Sequence, residues 1–250
     1  MTDTVERRLD AVFTGPLAHA RSSLSLCDGE PDGLPARDLF APDRLEACLD
    51  AFGREHRDAD PRAVVSYWSL WYFGGLLVPS VAATVGLRRT LPATVDQVRV
   101  TLAPETGRVT SFLIPLASIS SDHDRSRDST WFDPLIVRHV APVVDILSAR
   151  YRVGRGLLWG NAAHYVEWAL AELEARPDAV AKDARWARGE LLDRREWPGL
   201  GRNPLHGAIR YVSDGEAEVR RRRVCCLRHL LPGVAGCGSL CPLAHVREES

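Results

Sequence analysis

Residues 63–87, AVVSYWSLWYFGGLLVPSVAATVGL, form the longest stretch of the chain without a charged side chain. Arg62 and Arg88 bound the stretch, which is long enough to cross a membrane as a single helix. Gly74-Gly75 and Pro79 interrupt it, and four serine and threonine side chains lower its hydropathy. We therefore expect two short buried helices, or a helix and a buried turn, in the core of a soluble protein.

The segments around this stretch alternate between helical and extended patterns. Apolar side chains at helical spacing predict a helix over residues 36–57, with Cys48 on its buried face as a small apolar side chain. Two β-branched runs separated by Pro-Glu-Thr-Gly predict an antiparallel β-hairpin over residues 97–116. Further helices are predicted over residues 134–149, 161–175 and 178–195, with Asn161 as the N-cap of the second, before a final extended stretch near residues 209–211.

Composition and charge exclude several classes of function. The chain has 250 residues, with 32 basic and 33 acidic side chains and a net charge of -1, so it lacks the positive charge of a general nucleic-acid binder. The first residues show no secretory signal pattern, which predicts a cytoplasmic protein. The chain contains no phosphate-binding loop, nucleophile elbow or zinc-protease helix motif.

Four of the six cysteines lie within 17 residues, Cys225, Cys226, Cys237 and Cys241, in the pattern C-C-x10-C-x3-C. Four thiolates at this density can hold a tetrahedral zinc ion or an iron–sulfur cluster, and a reducing compartment disfavours disulfides. Adjacent cysteines cannot form the C-x2-4-C knuckle that zinc sites use, and they need a kinked backbone to reach one cofactor. A two-iron cluster spreads its sulfur ligands more widely than one zinc ion does, and this geometry, together with the resemblance described next, favours the cluster over zinc.

The paired cysteines, the ten-residue gap containing LPG and the closing CGSLCPL resemble the ferric siderophore reductases of the ferrioxamine and ferrichrome reductase type. Residues 157–163, LLWGNAA, are also similar to a segment of that family. The family pattern ends in C-x2-C, whereas x3 separates Cys237 from Cys241 here, so Gly238 must pucker the loop. His229 and His245 are the nearby alternative ligands.

The helical and extended patterns along the chain predict an α+β, mainly helical fold with a small antiparallel sheet. The resemblance adds the expected organisation and function. Residues 1–220 would form the reductase-like domain and residues 221–250 the [2Fe-2S]-binding segment of the same unit. It also implies a protein that delivers one electron from the cluster to a ferric siderophore and releases Fe(II) in the cytoplasm. Partners would be the siderophore and an external electron donor (ferredoxin, flavodoxin or a reductase), with association at the inner face of the cytoplasmic membrane or with an importer left open.

An arginine run precedes the cysteines and suggests a docking surface. Arg221, Arg222, Arg223 and Arg228 could attract an anionic siderophore or an acidic electron donor, or form a solvated basic edge. The alternative functions from other classes are a zinc-stabilised scaffold or siderophore-transport accessory protein without enzymatic activity, and a cluster-containing redox sensor.

Overall fold

The computed structural model describes residues 2–27, 29, 31–116, 119, 129–214 and 217–243. These residues fold mainly into helices with small sheets, which confirms the expected α+β class. The helices are α1 Thr2–Val12, α2 Ala36–Leu39, α3 Pro42–Gly53, α4 Pro61–Leu87, α5 Asp133–Leu135, α6 Ala141–Tyr151, α7 Arg155–Glu174 and α8 Val180–Arg188. The strands are β1 Leu24–Cys27, β2 Leu34–Pro35, β3 Arg99–Ala103, β4 Arg108–Pro115, β5 Glu196–Trp197, β6 Gly201–Arg202, β7 Ile209–Asp214 and β8 Ala217–Arg222.

Helix α4 is continuous and runs through the centre of the core, so the expected break at Gly74-Gly75 and Pro79 is wrong. It packs against α1, α3, α7 and β4, and this burial outweighs the single backbone hydrogen bond that an internal proline removes. The glycines allow close packing instead of a turn. A Cβ atom at Gly74 would lie 2.9 Å from the ring of Tyr165 on α7.

The apolar character of α4 is explained by this central position. It is the one helix in the described part of the chain that is long and apolar enough to cross a membrane. Within the protein, 78% of its most apolar window is buried. The helix is thus accounted for as the core of the fold without a bilayer.

The predicted hairpin is present as β3 and β4, paired antiparallel with a shift of register between Thr101 and Leu102. The full sheet has the order β1-β4-β3-β2, and β1 lies parallel to β4. The hairpin turn is tied to the core because the carbonyl oxygen of Gly107 accepts hydrogen bonds from Trp68 Nε1 at 2.8 Å and from Cys48 Sγ at 2.7 Å. Cys48 is buried on α3, as predicted.

The later helices follow the predicted order with different ends. The helix predicted over residues 134–149 is divided between α5, a π turn at Ile136–Val140 and α6. Helix α7 begins at Arg155, so Asn161 lies inside it and is fully buried, and its predicted role as an N-cap is wrong. The cause is tertiary: the amide of Asn161 is used in contacts with α4 and with the C-terminal part of the chain.

Two hairpins follow the helices, β5 with β6 and β7 with β8, of which the sequence indicated only an extended stretch. Strand β8 runs across the predicted boundary between residues 220 and 221 and leads directly into the cysteines. The division into 1–220 and 221–250 stays a prediction, and residues 244–250, with His245, lie outside the described residues.

Candidate metal centre

The four predicted cysteines lie around one cavity of about 200 Å³. The segment that carries them, residues 223–243, contains two single turns of 3-10 helix, Arg228–Leu230 and Gly238–Leu240, and is otherwise irregular. The cavity is also lined by Arg228, His229, Gly236 and Gly238. We call this cavity the cysteine cavity.

The adjacent cysteines reach the same cavity because the backbone bends just after them. Leu227 adopts a left-handed conformation, with φ 60° and ψ 6°, which is uncommon for a large side chain. Its backbone N–H donates to Cys225 Sγ at 3.4 Å. The kink that the vicinal pair requires is therefore at Leu227, and it places a hydrogen-bond donor on a sulfur.

The x3 spacing between Cys237 and Cys241 is absorbed by a helical turn. Gly238 has φ +54°, and the N–H of Cys241 donates to the carbonyl oxygen of Gly238 at 3.0 Å. The backbone N–H of Leu240 similarly bonds to the carbonyl oxygen of Cys237 at 3.2 Å. The extra residue thus forms one 3-10 turn, and both cysteines line the same cavity.

One pair of sulfurs has the spacing of two ligands on one metal ion. Cys226 Sγ and Cys237 Sγ are 3.8 Å apart. Two thiolates bound about 2.3 Å from one tetrahedral metal are separated by ~3.8 Å, so these two side chains could share an ion as they stand. Cys225 Sγ lies 3.5 Å from His229 Nδ1. In the described part of the chain, no three His, Cys, Asp or Glu side chains converge as ligands of a single ion.

The protein also favours thiolate at this cavity. A hydrogen bond from Cys237 lowers the pKa of Cys226, with further lowering by the backbone N–H of Arg228 and the charge of Arg222, against the opposing effect of burial. The same hydrogen bond, burial and the neighbouring thiolate raise the pKa of Cys237. One proton is therefore shared within a pair that lies near the charge of Arg222 and the backbone N–H of Arg228, and a bound metal would replace that proton.

A buried polar network joins the cysteine cavity to the helical core. Ser66 Oγ on α4 donates to the carbonyl oxygen of Cys226 at 2.7 Å. Asn161 Nδ2 donates to the carbonyl oxygen of Ser66 at 3.1 Å and to Ser69 Oγ at 2.9 Å. On its other side, Asn161 Oδ1 accepts from the guanidinium of Arg222 at 2.6 Å. The side chain of Asn161, in the segment LLWGNAA, thus connects Arg222 to Ser66, which in turn bonds to the backbone of Cys226.

The arginine run is divided between the two faces of β8. Arg222 is 4% exposed and faces the core, so its predicted role on a docking surface is wrong. Arg221 is half-buried, Arg223 is exposed, and Arg228 lies at the cysteine cavity with its guanidinium 5.2 Å from the ring of Tyr67. Successive side chains of a strand point to opposite faces, which explains why Arg222 is buried while Arg221 and Arg223 are not. The sequence does not show this because the residues of the run are identical.

Two residues that hold the site in place, Glu167 and Ser66, are not apparent from the sequence. Glu167 on α7 is buried and accepts hydrogen bonds or ion pairs from Tyr211 and from Arg220. Ser66 lies 160 residues before the cysteine that it contacts. In the sequence, Ser66 is visible only as one of several serines in an apolar helix. That pattern does not show which distant residue it contacts.

Residues 66–219, more than half of the chain, match the family described as "Ferric iron reductase FhuF-like transporter". The chain belongs to this FhuF-like family. The match contains Ser66 and Asn161 but ends before the four cysteines of the FhuF-like chain. It therefore covers the helical body of the fold and does not extend to the cysteine cavity.

A curated relative is the protein named "Ferric siderophore reductase" of Escherichia coli (strain K12). It is 26% identical to the FhuF-like chain over 178 residues. The match covers 71% of this chain and 64% of the relative, so somewhat less than two thirds of the relative's length is represented.

Proposed function

We propose that the protein is a cytoplasmic ferric siderophore reductase whose [2Fe-2S] cluster is held by Cys225, Cys226, Cys237 and Cys241. The observation that carries the proposal is the arrangement of four thiols around one cavity next to the body that matches the FhuF-like family. The named activity of the Escherichia coli relative supports the same assignment.

The donor set fits a cluster better than a single zinc ion. The chain brings four sulfurs to one cavity, yet in the described residues no three ligands converge on one point. A two-iron cluster needs only two sulfurs on each iron, and Cys226 and Cys237, 3.8 Å apart, form one such pair. Such a cluster supplies one-electron transfer, and iron reduced to Fe(II) is held far more weakly by the hard oxygen donors of a siderophore.

The residues of this chain would position and tune the site. Leu227 supplies an N–H to one sulfur, and the buried guanidinium of Arg222 offsets negative charge next to the thiolates. Ser66 fixes the backbone at Cys226. Hydrogen bonds, charge and burial are the means by which a protein sets the potential of such a site. No general acid, base or nucleophile is needed, because the reaction moves one electron from an external donor to Fe(III).

The test uses the full chain, purified without oxygen. The protein is reduced, freed of excess reductant and mixed with a ferric siderophore in the presence of a chelator that reports Fe(II). We expect a brown protein that bleaches on reduction, regains its colour when the siderophore is added and releases Fe(II) in matching amounts. Cys27→Ser serves as the control, because Cys27 lies on β1, away from the cysteine cavity.

The main alternative is a zinc-stabilised scaffold or transport accessory protein. Four thiols around one cavity could also serve such a role. A colourless protein that contains zinc, and that gives no paramagnetic signal after reduction, would establish this alternative and exclude the reductase.

A further inference from the structure

A second cavity, of about 680 Å³, lies beside the cysteine cavity and is lined mainly by arginines. Its lining side chains include Arg195, Arg202, Arg210, Arg223, His206 and Glu196, and we call it the arginine groove. The four guanidinium groups face one carboxylate, which leaves a formal excess of three positive charges at the surface of a chain whose net charge is -1. The groove was not apparent in the sequence because two of its arginines lie on strands β6 and β7, and the other two lie just before β5 and just after β8.

Within the described residues, no ion pair balances the charge of the groove. Elsewhere, arginines such as Arg176 and Arg188 pair with nearby carboxylates. Among the ion pairs of the described residues, none involves the four arginines of the groove, although Arg202 and Glu196 are register partners in the β5–β6 hairpin. Like charges held together repel one another, and a bound anion would relieve that repulsion.

The walls of the groove are firmly built. Asn203 is 1% exposed, and its amide donates to the carbonyl oxygens of Leu191 and Arg194, each at 2.9 Å. The ring of His206 is fixed by a hydrogen bond to the carbonyl oxygen of Leu192 at 2.8 Å. The N–H of Arg223 donates to the carbonyl oxygen of Ala208 at 2.9 Å. The arginines are therefore mounted on a backbone that is held in place before any ligand arrives.

Size and position favour a small ligand over a protein surface. Small-molecule sites typically measure about 300–1,000 Å³, and the groove falls within this range. Only Val224 separates Arg223, on the groove, from Cys225, on the cysteine cavity, and two residue steps span at most about 7 Å. A ligand in the groove would thus lie next to the cysteines.

We propose that the arginine groove binds ferric chelates that carry carboxylates and a net negative charge, in preference to neutral ferric chelates. The guanidinium fork matches a carboxylate with two parallel hydrogen bonds, which gives geometric selectivity as well as charge attraction. This inference rests on the proposed function for the identity of the ligand as a substrate, but the binding itself can be measured separately.

The first experiment measures binding of Ga(III) chelates, which have the charge and shape of the ferric complexes but cannot be reduced to a divalent ion under these conditions. The probes are the Ga(III) complex of a hexadentate hydroxamate–carboxylate chelator, which is anionic, and that of a neutral hexadentate trihydroxamate. In the full chain, R202Q/R210Q should weaken binding of the anionic complex by about tenfold or more. The neutral complex should bind the variant and the wild type equally.

The matched control is R44Q/R185Q, which removes the same charge from two exposed arginines outside the groove. We expect it to change binding of the anionic complex by less than about twofold. A variant of opposite sign, Glu196→Gln, removes the one carboxylate among the lining residues and should tighten binding of the anionic complex. Thermal unfolding of each variant shows that the fold is retained.

The outcomes separate the two proposals. Loss of anionic binding in R202Q/R210Q alone supports the groove, even if the protein proves to contain zinc and the reductase proposal fails. Equal loss for both complexes, loss in the R44Q/R185Q control, or no loss at all overturns the groove as a selective site. If the variant binds the chelates normally but accepts electrons from an acidic donor protein more slowly, the groove is a donor-docking surface and our assignment is wrong.

Discussion

Helices α4 and α7 and the cysteine segment, residues 223–243, are stabilised in different ways. The helices bury long rows of apolar side chains, such as Phe73, Leu76 and Leu158. In the cysteine segment, Leu231 is the one buried aliphatic side chain among the described residues. A segment with so little apolar burial needs other constraints, and the hydrogen bond from Ser66 is one of them. The proposed metal site would add another.

The cysteines of the core and of the cysteine segment also differ, in the pKa of their thiols. Cys48 is buried between α3 and the hairpin turn, and burial raises its pKa to about 11 despite a hydrogen bond with Trp68. Cys226 is also buried, but its pKa is lowered by a hydrogen bond with its partner Cys237, by the backbone N–H of Arg228 and by the charge of Arg222. Burial alone therefore does not determine how a thiol behaves, and the core cysteine provides an internal control for the four cysteines proposed as ligands.

The largest expected effect comes from removing a proposed ligand. Cys226→Ser should lower metal affinity by more than about 100-fold, because even partners that only support a ligand typically contribute 10- to 100-fold. Cys48→Ser should retain the metal. Metal content after gel filtration measures both. Equal metal content in the two variants would show that the cysteine cavity is not the metal site.

The two cysteines should also differ in reactivity once the metal has been removed. At pH 7, Cys226 should be alkylated at least about 100-fold faster than Cys48, because the thiolate is the reactive form and the two pKa values are shifted in opposite directions. Alkylation of Cys48 should rise with pH until about pH 11. Mass spectrometry of peptides after timed alkylation measures both rates, and similar rates at pH 7 would contradict the assigned environments.

The hydrogen-bond network of Asn161 joins the helices to the cysteine segment and should contribute to the free energy of unfolding. Asn161→Ala leaves the guanidinium of Arg222 and the hydroxyls of α4 without their partner, which should lower the free energy of unfolding by about 3 kcal/mol. Urea unfolding measures the loss. Gln97→Ala, at an exposed amide, should change stability by about 0.5 kcal/mol or less. A loss at Asn161 no larger than that of the control would mean that the network does not hold the segment to the core.

The smallest effect should be confined to the cysteine segment. Removing the metal with a chelator should increase backbone hydrogen exchange in residues 223–243 by about tenfold or more, while exchange in α4 stays unchanged. Mass spectrometry of proteolytic peptides resolves the two regions. Equal acceleration in both would indicate that the segment and the core unfold as one unit and that the contrast between them is wrong.

The sequence predicted local features and missed distant partners. The helical face of Cys48, the β3–β4 hairpin and the cysteine cluster each depend on residues close together in the chain, and the structure contains all three. The continuity of α4 through Pro79 depends on packing from several other elements, which periodicity cannot show. The burial of Arg222 depends on Asn161, which lies 61 residues earlier.

We propose that the four clustered cysteines hold two irons and not one zinc. Quantifying iron, acid-labile sulfide and zinc in the anaerobically purified chain, together with Mössbauer spectroscopy, tests this proposal most directly. We expect two irons and two sulfides per chain, lost together in Cys226→Ser and retained in Cys48→Ser. One zinc per chain without iron or sulfide would contradict it.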